Sequence, residues 1–266
     1  MVPPFRSPLI SLLVIALGAI WFAGFAAAQS RDRPGQDLFA VYLIDAQRGW
    51  AVGEAGLILS TNDRGATWQR QSSGVGADLN GVRFSDSNAG WAVGSGGVIL
   101  ATTDGGRIWQ EQKSSTHVAL GAVYGLHRAG GRVAWAVGAS GTILKTTDGG
   151  TTWVAQKSGI NQNLYGVDFV DRFTGWAVGS EGTILATDDG GNTWRKQVTG
   201  TSNRLHSVSF GDARTGWAVG AQGTILATRD GGETWHAQES GIRQRLWSAS
   251  FPNPVTGWAV GDLGVI

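Results

Sequence analysis

A chain of 266 residues with Lys+Arg 21 against Asp+Glu 20 carries almost no net charge, and it contains no cysteine. That balance excludes a global field for nucleic acid or an anionic membrane, and the missing thiols exclude a disulfide framework or a lipid-bearing cysteine. With 42 glycines in no Gly-X-Y period and 13 tryptophans, the composition fits a turn-rich β protein rather than a helical or collagenous one.

The first 28 residues stand apart. Arg6 precedes an apolar run from Leu9 to Ala28, broken only by Ser11, which ends Ala26-Ala27-Ala28 before Gln29. A basic start, an apolar stretch and small residues at the −3 and −1 positions describe a secretory signal peptide cleaved after Ala28. An uncleaved anchor is the alternative, because about twenty apolar residues also span a bilayer. Either reading exports the rest of the chain, and residues 29–36 read as a polar linker.

From residue 37 onward one unit repeats. Gly-Trp-Ala-Val-Gly occurs at Gly49–Gly53, Gly90–Gly94, Gly175–Gly179, Gly216–Gly220 and Gly257–Gly261, with Ala134–Gly138 as a one-letter variant. Its tryptophans (Trp50, Trp91, Trp135, Trp176, Trp217 and Trp258) are spaced by 41, 44, 41, 41 and 41 residues. A period near 40 marks a supersecondary module that cannot bury its apolar face alone. The copies divide as 37–77, 78–118, 119–162, 163–203, 204–244 and a partial 245–266.

Within copy four the sequence predicts four short strands: Leu164-x-x-Val167-x-Phe169, then Trp-Ala-Val, then Thr183–Thr187, then one starting at Trp194. Four antiparallel strands in about 40 residues make a β-propeller blade, so the chain is expected to be all-β, with some five and a half blades around a channel.

Each complete copy also carries Asp-Gly-Gly-x-Thr-Trp or a close variant, with Asp63 and Trp68, Asp104 and Trp109, Asp148 and Trp153, Asp189 and Trp194, and Asp230 and Trp235 at its ends. An aspartate accepting backbone N–H groups a few residues on closes such a turn, the glycines take positive φ, and the tryptophan is expected to wedge between blades. Arg64 replaces the first glycine in copy one, and Ile108 replaces the threonine in copy two.

This string is the Asp-box, or bacterial neuraminidase repeat. Together with GWAVG-x-x-GTIL-x-T it makes the chain from Leu38 to Ile266 resemble the photosystem II assembly and stability factors. The resemblance implies an exported, non-enzymatic, seven-bladed propeller that binds a reaction-centre protein in the lumen; the alternative is a general exported Asp-box propeller of a non-phototroph, in the periplasm, that binds another protein or a cell-surface glycan. No cofactor is expected. Against seven blades the sixth copy breaks off at Ile266, which reads as a piece of a longer gene product.

Catalytic readings find little support in the residues. The Asp-box also occurs in sialidases, but Arg-Ile-Pro is absent and Tyr42, Tyr124 and Tyr165 are the only tyrosines. Tyr42 and Tyr124 share one repeat position, which points to packing or lining. A glycosidase needs two facing carboxylates. Asp45, Asp86, Asp171 and Asp212 recur seven residues after each leading leucine and read as turn formers. Asp168 and Glu181 read as exposed positions. His117, His127, His206 and His236 are scattered without metal-ligand spacing, the Asp188–Asn192 stretch lacks calcium-loop alternation, and no phosphate loop occurs.

Function is therefore sought where copies differ. Around the leading leucine the later copies carry Tyr165, then Arg204 and His206, then Arg243, Arg245 and Trp247. If the first strand is innermost, these gather at one mouth of the channel, and arginine with aromatics is the make-up of protein-binding hot spots. The resemblance implies an arginine-rich partner-binding face as well. Ordinary solvated turn residues beside a packed aromatic remain the alternative.

Overall fold

A computed structural model describes residues 36–128 and 131–266. The expected signal peptide, 1–28, lies outside the described residues. Five four-stranded antiparallel sheets follow one another in chain order, each with its strands in sequence order, and a sixth sheet has two strands. Blade one comprises Leu38–Leu43, Gly49–Gly53, Ile58–Thr61 and Gln69–Gln71; blade two comprises Leu79–Phe84, Gly90–Gly94, Ile99–Thr102 and Gln110–Gln112. Blade three is Leu120–Arg128, Gly131–Gly138, Ile143–Thr146 and Val154–Gln156, its first hairpin lengthened by the 44-residue spacing. Blade four is Leu164–Phe169, Gly175–Gly179, Ile184–Thr187 and Arg195–Lys196; blade five is Leu205–Phe210, Gly216–Gly220, Ile225–Thr228 and His236–Gln238. The sixth sheet pairs Leu246–Ser250 with Trp258–Gly261.

The first strands of successive blades pack on one another, so the first strand is the innermost of its blade. Two edges of the sequence expectation shift. Thr183 and Trp194 fall just outside their strands, because each ends the tight turn that leads in. Among the described residues no helix is long and apolar enough to cross a membrane.

Both glycines of Gly-Trp-Ala-Val-Gly have steric causes. A Cβ on Gly94 would meet the Asp78 carbonyl oxygen at 2.0 Å, and one on Gly179 would meet that of Asn163 at 2.0 Å. This is where the second strand ends and its 3-10 turn donates back to the residue before the first strand, as Ser95 N–H does to Asp78 O at 2.9 Å. The leading glycine lies over a phenylalanine ring, Gly90 on Phe84 and Gly175 on Phe169. In blade three the phenylalanine position is Gly125, and its cross-strand partner is Ala134. The one-letter variant is thus half of a compensated swap.

The core sits between blades. Trp50 stacks on Phe84 of the next blade at 3.5 Å, Trp135 on Phe169 at 3.7 Å and Trp176 on Phe210 at 3.4 Å. The indole N–H groups of Trp50, Trp135 and Trp176 donate to Gly105, Gly190 and Gly231 carbonyls in the Asp-box of that next blade. In the other direction the Asp-box tryptophans Trp109, Trp153 and Trp235 donate to Gln71, Gln112 and Gln197 on the last strand of the preceding blade or just past it. The expected wedge is therefore also a two-way hydrogen-bonded clasp. Trp194 completes the packing, but its indole nitrogen is buried without a partner.

Candidate functional site

The Asp-boxes are turns. Thr67, Thr152, Thr193 and Thr234 donate both backbone N–H and hydroxyl to Asp63, Asp148, Asp189 and Asp230, with hydroxyl distances of 2.6–2.7 Å. These donors hold the carboxyls of Asp63, Asp148 and Asp189 down to about 2. Asp104 faces Ile108, so it has the backbone bond without the hydroxyl. Asp45, Asp171 and Asp212 likewise each accept two backbone N–H groups within their turns, which makes them turn formers.

The positions around the leading leucine are built by the same repeat geometry. In each blade the carbonyl of the residue before the first strand accepts an N–H from its own 3-10 turn, as Arg204 O does from Ala221 at 2.8 Å and Arg245 O from Asp262 at 2.9 Å. In two earlier blades the side chain at this position is occupied too: Asp78 accepts from Ala55 N–H and Asn163 from Ser140 N–H, both at 2.9 Å. Arginine cannot accept such a bond, so Arg204 and Arg245 turn to aromatic neighbours. The Arg204 guanidinium lies 5.3 Å from the Tyr165 ring centre, and that of Arg245 lies 5.0 Å from Trp247.

Between them runs an aromatic row across three blades. Tyr165 meets His206 edge-on at 6.1 Å, and His206 stacks on Trp247 at 4.5 Å with planes 17° apart. His206 Nδ1 lies 3.0 Å from the Leu246 carbonyl oxygen, which can only accept, so Nδ1 carries the proton and Nε2 is bare. Nε2 is buried without a partner. Burial is the main force keeping the imidazole below its ordinary pKa, and Arg204 and Arg245 add to it. The row is therefore neutral at its centre, with the Arg204 guanidinium at one flank and the Arg245–Asp262 ion pair at the other. Trp247 is 42% exposed, and its indole donates to Asp262 at 2.6 Å, while the same carboxylate pairs with Arg245 at 3.3 Å. The structure brings Tyr165, Arg204, His206, Arg245 and Trp247 together. Arg243 is exposed, and its backbone N–H bonds Gln244.

Four residues after each leading leucine, the channel carries a second set that the sequence reading largely missed. Tyr42, Arg83, Tyr124, Asp168, Ser209 and Ser250 occupy this position in blade order. Tyr42 and Tyr124 do line the channel, on either side of Arg83, at 4.6 and 4.2 Å from its guanidinium carbon. Asp168, expected at an exposed position, is instead half-buried in the channel wall. It accepts N–H groups from Phe169 at 3.0 Å and from Phe210 of the next blade at 2.7 Å. Burial pushes its carboxyl up to about 6, against the pull of Arg83 and these donors. Glu181 is exposed as expected, with a left-handed φ of 55° in its turn. The signal for this set was the repeat register itself, read across copies at one position rather than along the chain.

The family model of the photosynthesis system II assembly factor YCF48 matches residues 34–160 and 196–266. Among solved structures, YCF48 bound to D1 peptide is 22% identical with a TM-score of 0.57, over 85% of this chain and 89% of that one. YCF48 from Cyanidioschyzon merolae is 21% identical with a TM-score of 0.55, over 86% and 94%. The GH74 enzyme of Niastella koreensis is 14% identical with a TM-score of 0.67, over 84% of this chain and 43% of that one. At these identities the structural likeness carries the propeller fold, which assembly factors and glycoside hydrolases share. No curated protein matches the chain.

Proposed function

Because this chain belongs to the family of the photosystem II assembly factor YCF48, we propose that it is a non-catalytic, exported propeller that holds a protein partner at one mouth of its channel. Tyr165, Arg204, His206, Arg243, Arg245 and Trp247 form the binding face, and in a phototroph the partner is a photosystem II reaction-centre subunit. A relative of this family has been solved with a D1 peptide, which supports a segment of that kind as ligand. The observation that carries the reading is the aromatic row in which Tyr165 meets His206 edge-on and His206 stacks on Trp247, with an arginine over each end. Large flat aromatics and arginines concentrate binding energy at protein interfaces. The turn carboxylates Asp171 and Asp212 hold backbone N–H groups, which supports a structural part for them over an acid–base pair.

The test replaces Arg204, Arg243 and Arg245 together by alanine in the full chain. Loss of reaction-centre precursor capture with an unchanged thermal midpoint is expected, since exposed arginines contribute little to stability. Undiminished capture by the triple variant contradicts the proposal.

A further inference from the structure

At the opposite mouth, where the first strands end, a cavity of about 550 Å³ opens between Arg83, Tyr124, Asp168, Ser209, Ser250 and the adjoining turns. A volume of this order suits a small organic molecule. Arg83 supplies its one fixed cation. The Tyr42 and Tyr124 rings lie against the guanidinium, with their centres 4.6 and 4.2 Å from its carbon. Arg83 Nε is buried without a hydrogen-bond partner, and among the described residues Arg83 forms no ion pair. A guanidinium presents N–H donors in a planar fork that matches a carboxylate. The same wall carries a fixed acid. Each oxygen of Asp168 accepts one backbone N–H and keeps a second lone pair.

The two charges together restrict the ligand. A simple anion drawn to Arg83 meets repulsion from Asp168, and from Asp171 and Asp212 at the rim. A simple cation drawn to Asp168 meets Arg83. A molecule carrying both charges turns each repulsion into attraction. We propose that this cavity binds a small zwitterion of the α-amino-acid class, with its carboxylate on Arg83 and its ammonium group on Asp168. The site lies at the far end of the channel from the Arg204–Trp247 face and does not depend on that reading.

Saturation-transfer NMR on the full chain, with glycine, acetate and methylammonium as probes, tests it. Glycine is expected to bind saturably and at least tenfold more tightly than either single-charge probe. Arg83→Gln should weaken glycine at least tenfold. Should that variant fail to fold, Ser250→Phe fills the cavity from a rim position that is exposed, and should abolish glycine binding. Arg245→Ala, at the other mouth, should leave it unchanged. Absence of saturable glycine binding, acetate binding as tightly as glycine, glycine binding retained in Ser250→Phe, or glycine binding lost in Arg245→Ala would each overturn the proposal.

Discussion

Single side chains in this propeller are read best by comparing the same position across copies. Ile108 stands where four other Asp-boxes have a threonine whose hydroxyl meets the aspartate, and it is 61% exposed. Ile108→Thr restores that bond to Asp104 and removes an exposed apolar group. The variant should be more stable by a few tenths to about 1 kcal/mol in urea denaturation, the usual net worth of a solvent-accessible hydrogen bond. Asp168 gives a pH signature. Its folded pKa of about 6 lies above its ordinary 3.8, so its contribution favours the folded state below about pH 4 and is lost as pH rises through 6. Relative to wild type, Asp168→Asn should therefore gain stability as pH rises across that window; a difference that stays constant across it contradicts the assigned burial. The sequence made the Asp-box aspartates and the turn aspartates legible, because their partners lie within four residues. It left Asp168 illegible, because burial in the channel comes from neighbouring blades and no local pattern records it.

At the scale of the element, the seams between blades carry the stability. Trp135 is fully buried, stacked on Phe169 and bonded to the next Asp-box. Trp135→Ala should cost about 3–5 kcal/mol, as for other large aromatics removed from a core. The seam between blades two and three is built differently. Trp91 there has no phenylalanine beneath it, its indole nitrogen is buried without a partner, and it fills the space over Gly125. A Cβ at Gly125 would come within 2.4 Å of the Trp91 ring, so Gly125→Ala should destabilise by about 1–3 kcal/mol through overpacking. A neutral result in thermal or urea unfolding would show that the ring can shift freely. Strand number, order and the wedge role of the second tryptophan were all legible from the 41-residue period. The glutamine clasp of Gln71, Gln112 and Gln197 was not, since its partners lie 38 or 41 residues away and glutamine at a short outer strand looks like ordinary solvent-facing sequence.

The whole molecule is a stack of nearly identical blades whose sameness serves packing and whose differences gather at the two mouths of the channel. One mouth presents the aromatic row with its arginines; the other presents Arg83 and Asp168 around a cavity. The first was legible because Arg204, Arg245 and Trp247 break the repeat at positions that geometry makes neighbours. The stacking of His206 on Trp247 and the bond that sets its tautomer needed the blade-to-blade distance that only the folded chain supplies. Recognition of a protein segment at this mouth is the property on which the proposed function rests. Titration of a D1 peptide into the full chain by isothermal calorimetry tests it most directly, with Trp247→Ala and Arg245→Ala alongside wild type. Wild type should bind saturably, and each variant should bind at least tenfold more weakly, the size expected of a hot-spot residue. Equal affinity in all three proteins, or no binding by wild type, would contradict it.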